Sequence, residues 1–193
     1  ILGGGPIALE MAQAHRRLGC EVTVIARSRV MGRDDAEAVA VVAAALRAEG
    51  VTLLEGQEVA RFKSVGGGVE AVLADGRVLT GTHVLVATGR FPSIARLNLD
   101  AAGVAYSDKG VTVGENLRSS NRRIYAVGDV AGGAQFTNVA GAHAGVVIRQ
   151  VLLGLPAKAA TAVPWATSTA PELAPIGITE AEASKVHPDV TVL

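Results

Sequence analysis

The first 55 residues carry two alternating hydrophobic patterns, one with the period of an amphipathic helix and one with the apolar character of a buried strand. Helical spacing begins at Pro6, a residue suited to a first helical turn, and Gly19 ends it. The apolar side chains of this segment define one face, which we expect to be buried: Ile7, Met11, Ala14 and Leu18. Three polar residues lie off that face: Gln13, Arg16 and Arg17.

A strand, a second helix and another strand follow this first helix. The segment "EVTVIA" (21–26) has strand character, and "VTLLEG" (51–56) repeats it. Between them, residues 36–50 have helical spacing, with Asp34 or Asp35 available as the N-cap. This alternation predicts an α/β fold built on a Rossmann-like, NAD(P)-binding βαβ domain.

The pattern changes after residue 55. Short segments separated by "GGG" and "DG" predict an antiparallel meander over residues 58–81. The apolar run "THVLVATG" (82–89) is typical of a buried parallel strand, and "RRIYAVGDVAG" (122–132) of a second apolar strand that runs into a polar turn. Two further helices are expected: residues 138–153, and a segment from Thr179 with Glu182 in capping-box spacing.

Composition narrows the classes of function. The 193 residues are 49% hydrophobic, which is sufficient for a folded core and excludes a disordered chain. Lys plus Arg and Asp plus Glu both number 18, and this net charge of zero argues against a nucleic-acid or anionic membrane surface. The longest apolar run, "AVAVVAAAL" (38–46), is shorter than the roughly 20 residues of a membrane span. The single cysteine excludes an internal disulfide framework and suits a cytoplasmic protein.

The stretch "GGGPIA" (3–8) has the G-x-G-x-x-A spacing of a dinucleotide-binding turn. Gly3 makes the tight turn in this interpretation, Gly5 lets a pyrophosphate approach bare backbone, and Ala8 allows close packing of helix on strand. The amide groups at the helix N-terminus, beside Pro6, would face the phosphates. Barely the end of a strand precedes these glycines, so we expect the chain to be a piece of a longer protein.

Arginines stand where many dinucleotide-binding folds carry an acidic residue. The segment "IARSRVMGR" (25–33) contains three arginines and no carboxylate. An acidic residue here would hold the ribose 2′-hydroxyl of NAD(H), whereas guanidinium groups pair with the 2′-phosphate of NADP(H). We interpret Arg27 and Arg33 as a phosphate-binding pair and Arg29 as a solvated surface charge.

Three motifs, in this order, resemble one protein family. They are "ILGGGPIALEMAQAHRRLGCEVTVIARS" (1–28), "LVATGR" (85–90) and "IYAVGDVAG" (124–132). They resemble the pyridine nucleotide–disulfide oxidoreductases, a family that includes mercuric reductase and dihydrolipoamide dehydrogenase. Within that family they are more similar to the mercuric-reductase-like branch. The resemblance implies an internal fragment of a homodimeric flavoenzyme that uses FAD and NADP(H), with NAD(H) less favoured.

The resemblance also divides the chain into three parts. Residues 1–83 correspond to the NAD(P)H-binding domain and residues 84–155 to the returning, C-terminal part of the FAD-binding domain. Residues 156–193 correspond to the start of an α+β interface domain, which forms the dimer.

Cofactor contacts follow from the same resemblance. Glu10 matches a glutamate near the nicotinamide side of the flavin, and Asp129 matches the aspartate that binds the flavin ribityl chain. Arg27 and Arg33 match the arginine pair of NADPH-using members. Contacts with the nicotinamide coenzyme are also implied for Val59 and Gly89. The stretch that lies along the flavin comprises Gln135, Phe136, Thr137 and Asn138.

The family's chemistry needs residues that this sequence does not contain. In the family a hydride passes from NAD(P)H to FAD, and electrons continue to a cysteine pair and then to a dithiol, metal-ion or other small-molecule substrate. Here Cys20 is alone and is interpreted as a small buried apolar residue, and His187 does not match the family's acid–base histidine. We therefore expect neither a catalytic residue nor a metal site within the sequence.

Four other classes of protein are alternatives to this one. A non-catalytic NADP(H)-binding module, or a flavin-dependent reductase lacking the redox disulfide, could carry the same glycine and arginine motifs. A short-chain dehydrogenase needs a Tyr-x-x-x-Lys pair on a helix, whereas Tyr106 and Lys109 are one residue too close and in a loop. A methyltransferase is disfavoured because no acidic ribose ligand follows the strand at 21–26.

We expect the purified chain to lack NADPH-dependent disulfide reductase activity, because one cysteine cannot form the dithiol that passes electrons on. The measurement is the absorbance change of NADPH with a low-molecular-weight disulfide. Sustained, disulfide-dependent oxidation above the buffer blank would contradict this expectation.

Overall fold

A computed structural model describes residues 1–160, 162, 164–186 and 189–191. By their internal contacts the residues group into two compact units. The first unit comprises Ile1–Gly89 and Ala166–Leu193, and the second comprises Arg90–Trp165. Within the described part of the chain, no helix is both long and apolar enough to span a bilayer.

The first unit begins with the expected βαβ arrangement. Helix α1 spans Pro6–Arg17, strand β1 Thr23–Ala26, helix α2 Ala36–Ala48 and strand β2 Thr52–Glu55. Strands β1 and β2 pair in parallel, with Thr23 opposite Thr52. The helices and strands share one buried core: Leu9, Ala12, Val24, Val30, Val39, Val42 and Leu46. Burial of each large aliphatic side chain there contributes roughly 1.5–3 kcal/mol.

The face of α1 that is buried differs from the face that the apolar pattern predicted. Ile7 and Leu18 are 59% and 80% exposed. The prediction failed because Gln13 has hydrogen-bond partners that compensate its burial, and because small alanines pack closely, so the core face is not the most hydrophobic one. The buried residues are Ala8, Leu9, Ala12 and Gln13.

Helix α2 begins with a side-chain cap. The Asp35 carboxylate accepts hydrogen bonds from the Glu37 and Ala38 N–H groups at 2.9 and 3.1 Å. Asp35, rather than Asp34, is thus the N-cap. The helix buries Val39, Val42, Ala43 and Leu46, which recur at helical spacing as the sequence predicted.

The meander predicted over residues 58–81 is confirmed. Strands β3 (Val59–Val65), β4 (Gly68–Leu73) and β5 (Val78–Gly81) form an antiparallel sheet in the order β3-β4-β5. The register shifts between Val59 and Arg61, where the start of β3 departs from regular pairing.

The buried strand expected over residues 82–89 is not present as such. The segment makes one parallel bridge, between Leu2 and Val86, and Val84, Leu85 and Val86 are between 38% and 63% exposed. The prediction failed because the described chain offers this apolar run a single neighbour, whereas a buried parallel strand needs neighbours on its edges and faces.

The second unit is built around short strands and one long helix. Strands β6 (Tyr106–Ser107) and β7 (Gly110–Val111) pair in antiparallel fashion, and helix α3 spans Thr137–Leu153. The start of segment 122–132 makes an isolated bridge, Arg118 to Tyr125, instead of the expected strand. The turn predicted at its end is present as a 3-10 helix at Gly128–Ala131. A small core lies here: Leu99, Val104, Val111 and Ala126.

Helix α4 spans Glu180–Val186 and belongs to the first unit. The predicted capping box is confirmed, since the Thr179 N–H donates to the Glu182 carboxylate at 3.0 Å and the Glu182 N–H donates to the Thr179 hydroxyl at 3.2 Å. This reciprocal pair satisfies two amides at the helix start.

We expect Asp35→Ala to lower the free energy of unfolding by about 1 kcal/mol, because two α2 amides lose their acceptor. Asp35→Asn is the matched control, since asparagine caps helices equally well, and it should leave stability almost unchanged. Urea denaturation of the three proteins measures the difference. Equal destabilisation by alanine and asparagine would contradict a capping role.

Candidate functional site

The glycine loop, residues 3–5, crosses closely over the extended segment at residue 87. Gly3 has a φ of +123°, and a Cβ atom there would lie 2.2 Å from the Ala87 carbonyl oxygen. The Gly3 N–H donates to the Ile25 carbonyl at 2.9 Å, and the Ala87 N–H donates to the Leu2 carbonyl at 2.7 Å. The backbone conformation and the crossing therefore both require glycine at this turn.

Gly5 is not required by the chain in this way. As the N-cap of α1 it has φ −83° and ψ 179°, which any residue can adopt, and a Cβ there meets no atom of the described residues within 4 Å. Helix α1 starts at Pro6 without a side-chain cap, and Ala8 is fully buried one turn further on. The loop thus combines open space with helix N-terminal amides, the arrangement in which an anion binds.

The arginine loop, residues 27–33, is tied to the glycine loop. The Met31 N–H donates to the Gly4 carbonyl at 2.7 Å. The Val30 N–H donates to the Glu55 carboxylate at 2.8 Å, at the end of β2. Met31 adopts a left-handed φ of 45°, which is rare outside glycine, and its buried side chain holds it in place.

Glu55 is a residue of this site that the sequence interpretation missed. Its second carboxylate oxygen pairs with the Arg47 guanidinium at 3.0 Å. The sequence signal was its position directly after an apolar strand, at the sheet edge where ligand-binding loops collect. Glu55 therefore fixes the arginine loop by accepting a hydrogen bond from the loop backbone at Val30.

The three arginines of the loop differ in their contacts. The Arg29 guanidinium donates to the Asp34 carbonyl at 3.1 Å, directly after the loop. Arg27 and Arg33 are exposed at either end of the loop, and Arg29 is exposed as well. The assignment of Arg27 and Arg33 as a phosphate-binding pair stays a prediction.

Glu10 lies on α1, one turn and a half after the glycine loop. Its carboxylate accepts a hydrogen bond of 2.8 Å from the Ser168 N–H. Val59 is half-buried at the start of β3, opposite Leu73. Gly89 has a φ of +122°, and no described atom lies within 4 Å of the position of a Cβ.

Asp129 lies in the 3-10 turn of the second unit and pairs with a residue that the sequence interpretation had not singled out. The Arg90 guanidinium lies 3.4 Å from the Asp129 carboxylate and donates to the Gln135 carbonyl at 2.5 Å. Arg90 therefore brings together two residues assigned to the flavin. The sequence feature that could have identified Arg90 is its position at the end of the motif "LVATGR". His143 accepts a hydrogen bond of 3.2 Å from the Gly128 N–H, beside this turn.

The remaining residues of the flavin stretch contact the segment that follows α3. The Phe136 and Trp165 rings stack with centroids 5.9 Å apart and planes 13° from parallel. The Asn138 side-chain amide donates to the Pro164 carbonyl, and Thr137 is the first residue of α3. The second unit thus clusters Arg90, Asp129 and the 135–138 stretch.

The interpretation of Cys20 as a buried residue was wrong. Cys20 is an exposed free cysteine, and its N–H donates to the His15 carbonyl at 3.0 Å where the chain leaves α1. It is exposed because it belongs to the turn after the helix, before β1 enters the core. His187 lies outside the described residues. Within those residues, no group of three or more His, Cys, Asp or Glu side chains could hold a metal ion.

The short-chain dehydrogenase alternative finds no support in the geometry. Tyr106 is in β6, and Lys109 follows in the turn before β7 rather than on a helix. The Tyr106 hydroxyl donates to the Asp100 carboxylate at 3.1 Å, and this hydrogen bond raises the pKa of Tyr106. A raised pKa opposes the loss of its proton in general acid–base catalysis near neutral pH.

Comparisons with known proteins agree on one family. Residues 1–144 match the family model described as pyridine nucleotide-disulphide oxidoreductase. The chain is 38% identical over 187 residues to a mercuric reductase from Acidithiobacillus ferrooxidans, covering 96% of this chain and 34% of that protein. It is 32% identical over 201 residues to a dihydrolipoyl dehydrogenase from Rhizobium etli, covering 100% of this chain and 41% of that protein.

A solved structure gives the same result. The chain resembles the HOCl-induced flavoprotein disulfide reductase RclA from Escherichia coli with a TM-score of 0.88 and 28% identity, covering 95% of this chain and 43% of that chain. The shared architecture confirms the α/β class. The chain therefore spans between a third and a half of the length of these relatives.

We expect the two key glycines to respond differently to substitution by alanine. Gly3→Ala should destabilise the fold by about 1–3 kcal/mol or more, because the new Cβ meets a backbone carbonyl at a positive φ. Gly5→Ala should lower the urea midpoint less than Gly3→Ala, by no more than the difference between glycine and alanine as N-cap residues. It should weaken dinucleotide binding about tenfold or more, because the open space is needed by the ligand rather than by the chain. A Gly5→Ala protein that binds as tightly as the parent would contradict the assignment.

Proposed function

Because this chain belongs to the pyridine nucleotide-disulphide oxidoreductase family, we propose that its first unit binds a nicotinamide coenzyme and prefers NADPH to NADH. The observation that carries the proposal is the hydrogen bond of 2.7 Å from the Met31 N–H to the Gly4 carbonyl. It ties the arginine loop to the glycine loop. A dinucleotide whose pyrophosphate lies at Gly5 would therefore present its adenosine 2′-phosphate to the arginines.

Arg27 and Arg33 are the proposed ligands of that phosphate. Both residues are exposed, and residues 25–33 contain no carboxylate that would attract a ribose 2′-hydroxyl instead. A charge-assisted hydrogen bond from guanidinium to phosphate contributes about 1.5–3 kcal/mol. Two such bonds would favour NADPH over NADH by roughly a hundredfold at low salt.

We further propose that the second unit forms part of an FAD site. Asp129 retains a partly exposed carboxylate, and Arg90 orients both this carboxylate and the Gln135 backbone. The N-terminus of α3, at Thr137, would favour negative charge nearby through its helix dipole. FAD, when bound, supplies the acceptor for the hydride, and these residues would hold and orient it.

The whole protein is proposed to be a homodimeric, cytoplasmic flavoenzyme that reduces a small-molecule or dithiol substrate. The dithiol would come from residues outside this sequence, since Cys20 is alone. Mercuric reductases among the relatives support mercuric ion as one acceptor, and a disulfide or a lipoyl group are the other candidates.

An alternative is a coenzyme-binding module, or a flavin reductase without the redox disulfide, on the same fold. Purification separates these cases, because retained yellow flavin supports an FAD site, whereas NADPH binding without flavin supports the bare module.

We expect the chain to bind NADPH roughly a hundredfold more tightly than NADH at low salt, and Arg27→Gln with Arg33→Gln together to remove most of that preference. The physical reason is the loss of two phosphate-directed cations, while the pyrophosphate contacts remain. Isothermal titration with both coenzymes, at low and at high salt, measures the effect.

Arg29→Gln is the matched control for this experiment, because it removes the same charge from the same loop but from a residue whose guanidinium donates to the Asp34 carbonyl. Its NADPH preference should stay within about threefold of the parent, the residual long-range charge effect. Equal affinity for the two coenzymes, or an equal effect of all three arginines, would overturn the proposal.

A further inference from the structure

Gln13 is polar, yet it is only 3% exposed on the core face of α1. Its side-chain amide is fully engaged, because Nε2 donates to the Ala170 carbonyl at 2.9 Å and to the Glu49 carboxylate at 2.8 Å. Its Oε1 accepts from the Ala170 N–H at 2.7 Å. Gln13 and the Ala170 backbone therefore pair through two antiparallel hydrogen bonds, as two neighbouring strands do.

The partner of Gln13 belongs to a segment far away in the sequence. Residues 166–173 form a short loop closed by a bridge between Thr167 and Leu173. Thr167 and Thr169 are 0% and 2% exposed, and Leu173 packs against the core of the first unit. The segment is thus seated against the same unit that carries the glycine and arginine loops.

A second contact joins this segment to α1. The Ser168 N–H donates to Glu10, which lies one helical turn before Gln13. Gln13 holds the backbone at residue 170, and the backbone at residue 168 holds the carboxylate of Glu10. The two contacts are coupled through the short stretch 168–170, in which Thr169 is buried and Ser168 and Ala170 are exposed.

We propose that Gln13 is a positioning residue, whose amide fixes the backbone of residues 168–170 on α1 and through the Ser168 N–H orients the Glu10 carboxylate. The consequence for the coenzyme rests on the proposed function, in which Glu10 lies near the nicotinamide. Gln13 itself does not contact the coenzyme in this scheme. Its role requires one amide that both donates and accepts, and aliphatic or purely accepting side chains do not meet that requirement.

Glu49 is the other hydrogen-bond partner of the Gln13 side chain, beside the Ala170 backbone. The Arg17 guanidinium pairs with the Glu49 carboxylate at 2.7 Å and lowers the pKa of Glu49. The charged carboxylate then remains an acceptor for the second Nε2 hydrogen of Gln13 at neutral pH. Glu49 directs the amide so that its remaining donor faces the Ala170 carbonyl.

The test is hydrogen exchange of the Ser168 and Ala170 amides by NMR in the full 193-residue chain without coenzyme. Gln13→Met keeps the length of the side chain and removes its hydrogen bonds. We expect it to lower the protection of both amides about tenfold, the equivalent of one ordinary hydrogen bond. Protection of the Ile25 and Leu54 amides, in β1 and β2, reports whether the fold is retained.

Gln13→Glu distinguishes the proposed hydrogen-bonding role of Gln13 from a role in packing alone. A protonated carboxyl group can accept from the Ala170 N–H and donate to its carbonyl, as the amide does, whereas a carboxylate can only accept. A carboxylate at position 13 would face the Glu49 carboxylate and the Ala170 carbonyl oxygen, and both would repel it. Relative to the parent chain at the same pH, protection of Ser168 and Ala170 should therefore fall near neutral pH and return on acidification. Gln13→Met should show no such return.

A matched control variant separates a local effect from a general one. Gln150→Met removes a similar side-chain amide, which donates to the Asn116 carbonyl at 2.9 Å in the second unit, and should leave both amides protected. Unchanged Ser168 protection in folded Gln13→Met, or no acid recovery in Gln13→Glu, would overturn the proposal. The preference for NADPH over NADH is measured separately, with the arginine variants. A failure of the proposed function would therefore not be confused with a failure of the role proposed for Gln13.

Discussion

The first unit depends on a steric constraint, namely that no side chain fits at Gly3 or Gly4. A Cβ at Gly3 would lie 2.2 Å from the Ala87 carbonyl oxygen, and one at Gly4 would lie 2.8 Å from the Ala26 Cβ. The absence of two side chains lets the chain start, the end of β1 and residue 87 converge. This convergence brings the α1 N-terminus close to the arginine loop, and the proposed coenzyme site follows from it.

Local charge matters more than net charge in this molecule. The chain as a whole is neutral, yet the proposed anion site combines helix N-terminal amides with two exposed guanidinium groups. Glu55 accepts from the Val30 N–H of this loop and pairs with Arg47. Its negative charge holds the loop in shape and is balanced by a cation from α2.

Polar side chains organise both units, a buried one in the first and an exposed one in the second. In the first unit, Gln13 allows a polar helix face to meet residues 166–173 without an unpaired amide. In the second unit, Arg90 connects Asp129 with Gln135 through one guanidinium group. In each unit, one side chain bonds to two groups that are apart in the sequence. The hydrophobicity or charge of that side chain alone would not predict such a role.

The sequence by itself determined the βαβ order, the meander, the Thr179 cap, the glycine and arginine loops and the family, and it left Asp34 and Asp35 as alternative caps of α2. These features depend on spacings within a few residues, where backbone sterics and local hydrogen bonds act. Only the tertiary structure decided which face of α1 is buried, that Cys20 is exposed, and that the apolar runs at 82–89 and 122–132 do not form the strands expected. The reason is long-range partnership: Gln13 is buried because it meets Ala170, 157 positions away, and no local pattern contains that contact.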